Sequence, residues 1–384
     1  MSKPRGFEKP TGVKDYVPEA VERLRRIEFR VLECMKRWGY RQIITPTLEF
    51  YDTVGMASAT TDKKLFKLLD QNGRTLVLRS DMTAPIARVV SSLLKEEPLP
   101  LRLCYHSNVF RAFAEEAGKE SEFFQTGVEL VGDASAEADA EVIALAVASL
   151  QAAGIGEFKI ALGHIGFLNG LFEELLPWQP EKQEILKESL MNRDYVGYRR
   201  ILSEIGLSER TEEKLESILR IHGGAEVLDE AHGLTRNAEA QEAIEHLRSM
   251  LEVLNAYGMA GHVLVDLTMV GDFGYYTGMT FEGYASGLGF PVVSGGRYDN
   301  LLGQFGRPAP ATGFALKTNR ILEWGSEPTE EPMKTTILYR AEKRTVALGK
   351  AMELRASGHR IVETRLVLEG EELPHIAGEL LVFE

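Results

Sequence analysis

Four segments of the chain carry polar residue types that could act together on a small charged molecule. Arg79, Asp81 and Thr83 close and follow the run Arg74 to Arg79, and Arg111 ends the run Leu101 to Phe110. Gln125 and Glu129 lie in Phe124 to Leu130, and Tyr275 and Tyr276 open Tyr275 to Tyr284. Gln125 and Glu129 are four positions apart, so at a strand's period of two they share one face. Acid, amide and phenol groups converging on one sheet face suit a zwitterionic amino acid. An ammonium is held by carboxylate and amide oxygens, and an imidazole N–H by a second carboxylate or a tyrosine hydroxyl. The pattern leaves a second reading open, in which Gln125 and Glu129 simply face solvent.

Other chemistries find little support. No segment has the spacing of a Walker loop, and none opens a strand–helix unit as GxGxxG, so no nucleotide cofactor is implied. Ser294 to Arg297 (SGGR) reads as a tight β-turn between core strands, with an anion-binding nest as the other reading. Eight histidines are scattered singly, as at His106, His164 and His262, without ligand spacing, so no metal is expected. Cys34 and Cys104 form no CxxC pair, which fits a reducing compartment.

The elements that must carry these residues read as α+β. Pro18 to Trp38 has apolar residues at helical spacing, Pro18 in its first turn and Gly39 as its stop. Strand patterns follow at Tyr40 to Thr45, Arg74 to Arg79, Leu101 to Phe110 and Phe124 to Leu130. An alanine-rich helix spans Ala136 to Ala153 with Ser135 as its N-cap, and a strand follows at Phe158 to Leu162. From about Gly166 to Gly258 the pattern turns wholly helical and charged, as an insertion would. Strands return at Val263 to Leu267, Tyr275 to Tyr284 and Phe290 to Ser294, before a strand-into-helix segment, Thr312 to Trp324. Gly325 to Pro332 reads as a linker between a core of residues 1 to 325 and a small β-α-β-β module at 331 to 384.

Length and charge set the outer bounds. The 384 residues, 44% hydrophobic and 26% charged, are an ordinary globular composition with room for two or three domains. The longest charge-free stretch, Val142 to Gly156, is 15 residues, too short for a bilayer that needs about 20. Met1 to Glu8 carries three charges and no apolar signal core, so a cytoplasmic protein is expected. A net charge of −13 disfavours general nucleic-acid binding.

In order, the segments PTGVKDYVP (10 to 18), LRSDMT (78 to 83), NVFR (108 to 111) with FFQTGVE (123 to 129), YYTG (275 to 278), SGGRYD (294 to 299) and GFALKTNR (313 to 320) resemble histidyl-tRNA synthetase, a class II aminoacyl-tRNA synthetase. The resemblance covers about residues 8 to 325. It implies an antiparallel sheet flanked by helices, a helical insertion between motifs 2 and 3, and a homodimer built on motif 1, including the Pro18 to Trp38 helix. It also implies a histidine pocket in which Asp81, Thr83 and Gln125 surround the α-ammonium and Glu129 and Tyr276 meet the imidazole, beside Tyr275. Asp81 stands where the family usually has Glu.

The resemblance breaks at the catalytic positions. The synthetases carry an arginine before the tyrosine pair that contacts substrate carboxylate and ATP; here it is Gly271. Their motif 2 loop is arginine-rich, whereas residues 111 to 122 hold two basic and four acidic side chains, a poor seat for a triphosphate. Arg111 and Arg320 remain as possible anion-binding groups. Residues 331 to 384, with eight Lys+Arg and nine Glu, offer no basic face for tRNA. This combination is similar to the regulatory subunits of ATP phosphoribosyltransferase. That family implies a non-catalytic, cofactor-free cytoplasmic subunit that joins a short catalytic partner for the first step of histidine biosynthesis, takes L-histidine as feedback effector and forms a homodimer within a hetero-oligomer. A histidine-activating enzyme with degenerate motifs is the alternative, which ATP–pyrophosphate exchange would reveal.

Overall fold

The computed structural model describes residues 6–112, 120–269, 271, 275–324, 334–357, 361–368, 371 and 379–384. The acidic pair Glu115 and Glu116 and the linker 325–332 lie outside the described residues.

Helix α1 (Pro18–Arg37) buries Leu24, Val31, Leu32 and Met35 along one stripe. It ends before Gly39, whose φ of +86° is a left-handed conformation that glycine adopts without strain. Strand β1 (Arg41–Gln42) follows, much shorter than the Tyr40 to Thr45 pattern suggested. Three short strands, β2 (Leu48–Phe50), β3 (Lys67–Leu69) and β4 (Thr75–Leu78), form a separate antiparallel sheet in the order β2-β4-β3. Helix α2 (Thr83–Ser91) leads into the long hairpin of β5 (Leu101–Phe110) and β6 (Glu122–Val131).

Helix α3 (Ala136–Ala152) is capped as expected, Ser135 Oγ accepting the Ala138 N–H at 3.2 Å. It is buried on nearly every side, which its run of alanine and branched aliphatics permits. After β7 (Phe158–His164) comes the helical insertion: α4 (Ile165–Leu175), α5 (Pro180–Met191), α6 (Tyr195–Ile205), α7 (Glu209–Ser217), a two-residue strand β8 (His222–Gly223), α8 (Val227–Leu234) and α9 (Ala238–Ala256). Helix α9 packs on α3 and α4 and so anchors the insertion to the core.

The chain then returns to the sheet with β9 (Val263–Asp266), β10 (Met279–Ala285), β11 (Val293–Arg297) and β12 (Ala311–Lys317), followed by α10 (Thr318–Trp324). The main sheet runs β1-β5-β6-β12-β11-β10-β7-β9-β8. It is antiparallel except for the β1/β5 and β7/β9 pairs, which are parallel. Two sequence expectations fail here. Ser294 to Arg297 is not a turn but most of β11, hydrogen-bonded on both sides by β10 and β12. Tyr275 and Tyr276 precede β10 rather than lying in it. Glycines reduce a segment's strand signal, yet β11 needs them because neighbouring chains approach closely there.

Strand β6 is covered on both faces, and Gln125 to Val131 are all buried. The reading in which Gln125 and Glu129 face solvent is thereby excluded.

The chain divides into two compact units, Met1–Gly325 and Ser326–Glu384. In the second, β13 (Lys334–Tyr339), α11 (Arg344–Ala356), β14 (Ile361–Leu366) and β15 (Glu379–Phe383) make a three-stranded parallel sheet, β14-β13-β15. Its core joins Ala347 and Ala351 of α11 to Ile337 and Val362. Among the described residues no helix is long and apolar enough to cross a membrane.

Candidate functional site

Seven of the nine candidate residues drawn from the sequence line one cavity of about 100 Å³ over the centre of the main sheet: Asp81, Thr83, Arg111, Gln125, Glu129, Tyr275 and Tyr276. Each is delivered by a different local device. Asp81 is set at the start of α2, where its Oδ1 accepts the Ala84 N–H at 3.1 Å, while Oδ2 accepts the hydroxyls of Ser58 and Ser80. Arg111, at the end of β5, donates Nε to the Ser80 carbonyl at 3.0 Å and lies over the Phe123 ring. Its remaining guanidinium donors have no partner among the described residues.

Glu129 is the chemical centre. Only 2% exposed, it accepts the Thr83 hydroxyl on Oε1 at 2.8 Å and the Tyr298 hydroxyl on Oε2. Burial pushes its carboxyl up to about 8, against the pull of those two hydrogen bonds and with the charge of Asp81 adding to the rise. Burial also holds the phenols of Tyr105, Tyr275 and Tyr298 well above their ordinary value, so all three remain donors. Gln125 is 5% exposed and its amide makes no hydrogen bond among the described residues. An amide lining a cavity offers a donor and an acceptor to whatever enters it. A guanidinium engaged only through Nε among the described residues, an amide and a carboxyl with donors on both oxygens together fit a ligand that carries both charges and a hydrogen-bonding side chain.

Two functional residues escaped the sequence reading. Tyr298 directly follows β11, stacks on Tyr275 with ring centroids 5.6 Å apart and reaches Glu129. Its signal was its place in the SGGRYD segment, hidden by reading that segment as a turn. Tyr105 lines the same cavity from β5.

The structure separates two other candidates from this cavity. Arg79 is a strut: Nε and Nη2 donate to Asn108 and Nη1 to the Thr45 carbonyl at 2.7 Å. Arg320 lines a neighbouring cavity of about 220 Å³, shared with Arg111, Lys14 and Lys317. There its Nη1 donates to the Pro291 carbonyl at 3.0 Å and its guanidinium covers the Phe290 ring. Two of the histidines make local structural contacts: His106 Nδ1 pairs with the Thr126 hydroxyl at 2.7 Å, and His164 Nδ1 accepts the Gly166 N–H at 3.1 Å. Among the described residues no group of three His, Cys, Asp or Glu could hold a metal ion.

Residues 12–321 match the family model described as histidyl-tRNA synthetase. The ATP phosphoribosyltransferase regulatory subunit of Halalkalibacterium halodurans is 46% identical over 364 residues, which is 94% of this chain and 91% of that protein. A crystal structure described as an ATP phosphoribosyltransferase regulatory subunit/histidyl-tRNA synthetase from Bacillus halodurans superposes with a TM-score of 0.91 at 42% identity, over 100% of both chains. The histidyl-tRNA synthetase of Nostoc sp. superposes with a TM-score of 0.81 at 20% identity, over 96% of this chain and 88% of that one, which establishes the shared fold.

Proposed function

Because the chain belongs to the family of ATP phosphoribosyltransferase regulatory subunits, we propose that it binds L-histidine in the Glu129 cavity as an end-product signal and passes that signal to a short catalytic subunit at the first step of histidine biosynthesis. Asp81, Thr83 and Gln125 take the α-ammonium, and Glu129 with Tyr276 and Tyr275 takes the imidazole. Arg111 and Arg320 are the anion-binding groups, Arg111 standing in the same cavity as the ammonium-binding set and so placed for the ligand carboxylate. The observation that carries this reading is one cavity that joins Asp81, Thr83 and the buried Gln125 to the doubly hydrogen-bonded Glu129.

The subunit itself performs no chemistry, does not engage tRNA and works in the cytoplasm. Gly271 in place of an arginine and the acidic composition of residues 111 to 122 support the first point, and the charge balance of residues 331 to 384 the second. It works as a homodimer within a hetero-oligomer. The small β2-β4-β3 sheet supports this: Leu48, Phe50 and Leu68 are exposed and share one of its faces, an apolar surface suited to a second copy.

The test is calorimetric titration of histidine into the chain and its complex, with Glu129→Gln and Gln125→Ala alongside. Loss of a hydrogen bond to a charged group of the ligand should weaken binding by roughly 1.5–3 kcal/mol, about 10- to 150-fold, and relax inhibition to match while uninhibited turnover is kept. Unchanged inhibition in both variants would place histidine sensing elsewhere. Histidine-dependent ATP–pyrophosphate exchange at ~1 s⁻¹ or faster would restore the activating-enzyme reading.

A further inference from the structure

Tyr276 sits between two glycines. A Cβ on Gly271 would stand 2.5 Å from both Cδ2 and Cε2 of its ring, and a Cβ on Gly296 2.7 and 2.8 Å from Cδ1 and Cε1 of the same ring. The two glycines therefore face opposite edges of one phenol. Contacts that short are not made by real side-chain carbons, so a side chain at either position must move the ring.

Gly296 is not among the residues of positive φ, so its need for glycine is one of space. Gly296 is further fixed within β11, paired with Thr280 of β10 and Gly313 of β12. The ring they flank leads on to the buried carboxylate: Tyr276 meets Tyr275 edge-on at 5.1 Å, Tyr275 stacks on Tyr298 at 5.6 Å, and the Tyr298 hydroxyl donates to Glu129. Displacing Tyr276 thus disturbs the aromatic stack that orients a donor to Glu129.

We propose that Gly271 and Gly296 form a slot that fixes the Tyr276 ring in the pocket wall, making Gly271 a positioning residue for histidine recognition. This rests on the reading of the cavity as a histidine site. It turns the exchange of arginine for glycine at 271 into more than a lost catalytic group: a side chain at 271 and the Tyr276 ring in its present place exclude each other. Restoring the arginine alone does not rebuild an activating site, because it dislodges the tyrosine.

The experiment uses the full chain and two readouts. Histidine titrations of wild type, Gly271→Ala and Gly271→Arg should show at least 10-fold weaker binding in both variants, with no ATP–pyrophosphate exchange in Gly271→Arg. Urea midpoints of Gly271→Ala, Tyr276→Ala and the double variant form a cycle. Gly271→Ala should lower the midpoint when the ring is present and leave it unchanged or raise it when the ring is absent, because removing glycine then only stiffens the unfolded chain. Wild-type histidine affinity in Gly271→Ala, additive midpoint losses, or exchange activity in Gly271→Arg would overturn the slot. If wild type itself takes up no histidine, the site reading fails, and the midpoint cycle still decides whether the slot exists.

Discussion

Gly313 of β12 lies directly opposite Glu129 of β6 in the sheet register, with its Cα against the Glu129 carboxylate. A Cβ at 313 would collide with Glu129 Oε2 and with the Val128 carbonyl. The buried carboxyl keeps its two hydroxyl donors because the neighbouring strand gives it room.

Gly313→Ala is therefore expected to be destabilising by about 1–3 kcal/mol, the usual cost of overpacking, since a backbone carbonyl cannot step aside as a side chain would. It should also push Glu129 off Thr83 or Tyr298 and weaken histidine binding. Urea unfolding and calorimetry on the one variant check both. A variant as stable as wild type with unaltered histidine affinity would show that the contact relaxes freely.

Glu129 also gives stability a pH dependence whose sign is fixed by its shift. Its carboxyl rises from an ordinary 4.5 to about 8 on folding, so between those values the native state holds a proton that the unfolded chain has released. That contribution is complete below about 4.5 and is lost as pH climbs through about 8. Glu129→Gln cannot titrate, and so should gain stability relative to wild type by more than about 1 kcal/mol between pH 5 and 8.5. Unfolding both proteins in urea across that range is the measurement, and a constant difference would mean that Glu129 titrates normally.

Much of this site could be read from the sequence and part could not, for a physical reason. Gln125 and Glu129 were recognisable as a same-face pair because strand periodicity is local. Arg297 was not, because its partner Asp139 is 158 residues away, on α3. Arg297 donates Nε and Nη2 to the two oxygens of Asp139 at 2.9 Å each, and His246 of the insertion adds a third contact at 2.8 Å. Long-range pairs leave no periodic trace. The glycines of β11 misled in the opposite sense: they are required by close approach of side chains and strands, but on sequence alone they read as turn formers. The helical character of the insertion was plain, since its apolar periods are local, and only the two-residue β8 went unseen.

The Asp139 pair carries its own expectation. Asp139 has no exposed surface, and Arg297 is 5% exposed. Arg297→Met would leave a buried carboxylate with only the His246 contact and the Thr312 hydroxyl among the described residues, and breaking one side of a buried pair typically costs 3–5 kcal/mol. Asp139→Asn combined with Arg297→Met should recover part of that loss by removing the stranded charge. The stabilities of the two singles and the double decide it; a double variant no better than the sum of its parts would show that the pair serves packing rather than charge balance.

The proposed regulation through the Glu129 cavity would have a thermodynamic signature that does not depend on the route between subunits. If bound histidine favours an inactive arrangement of the complex, the effector site and the partner's substrate site share a coupling free energy, typically 1–3 kcal/mol. Such coupling is reciprocal: a substrate whose affinity falls when histidine binds must lower the affinity for histidine by the same factor, about 5- to 150-fold. The symmetric frame of a dimer would carry the change, because two packed arrangements related by one operator can exchange as a unit. Histidine should therefore be titrated into the assembled complex with and without the phosphoribosyl donor, and separately with and without ATP. Weaker histidine binding in the presence of whichever substrate favours the active state is the expected result. If histidine affinity is the same in every case although histidine still slows turnover, no binding-linked switch operates and the effect falls on the catalytic step alone.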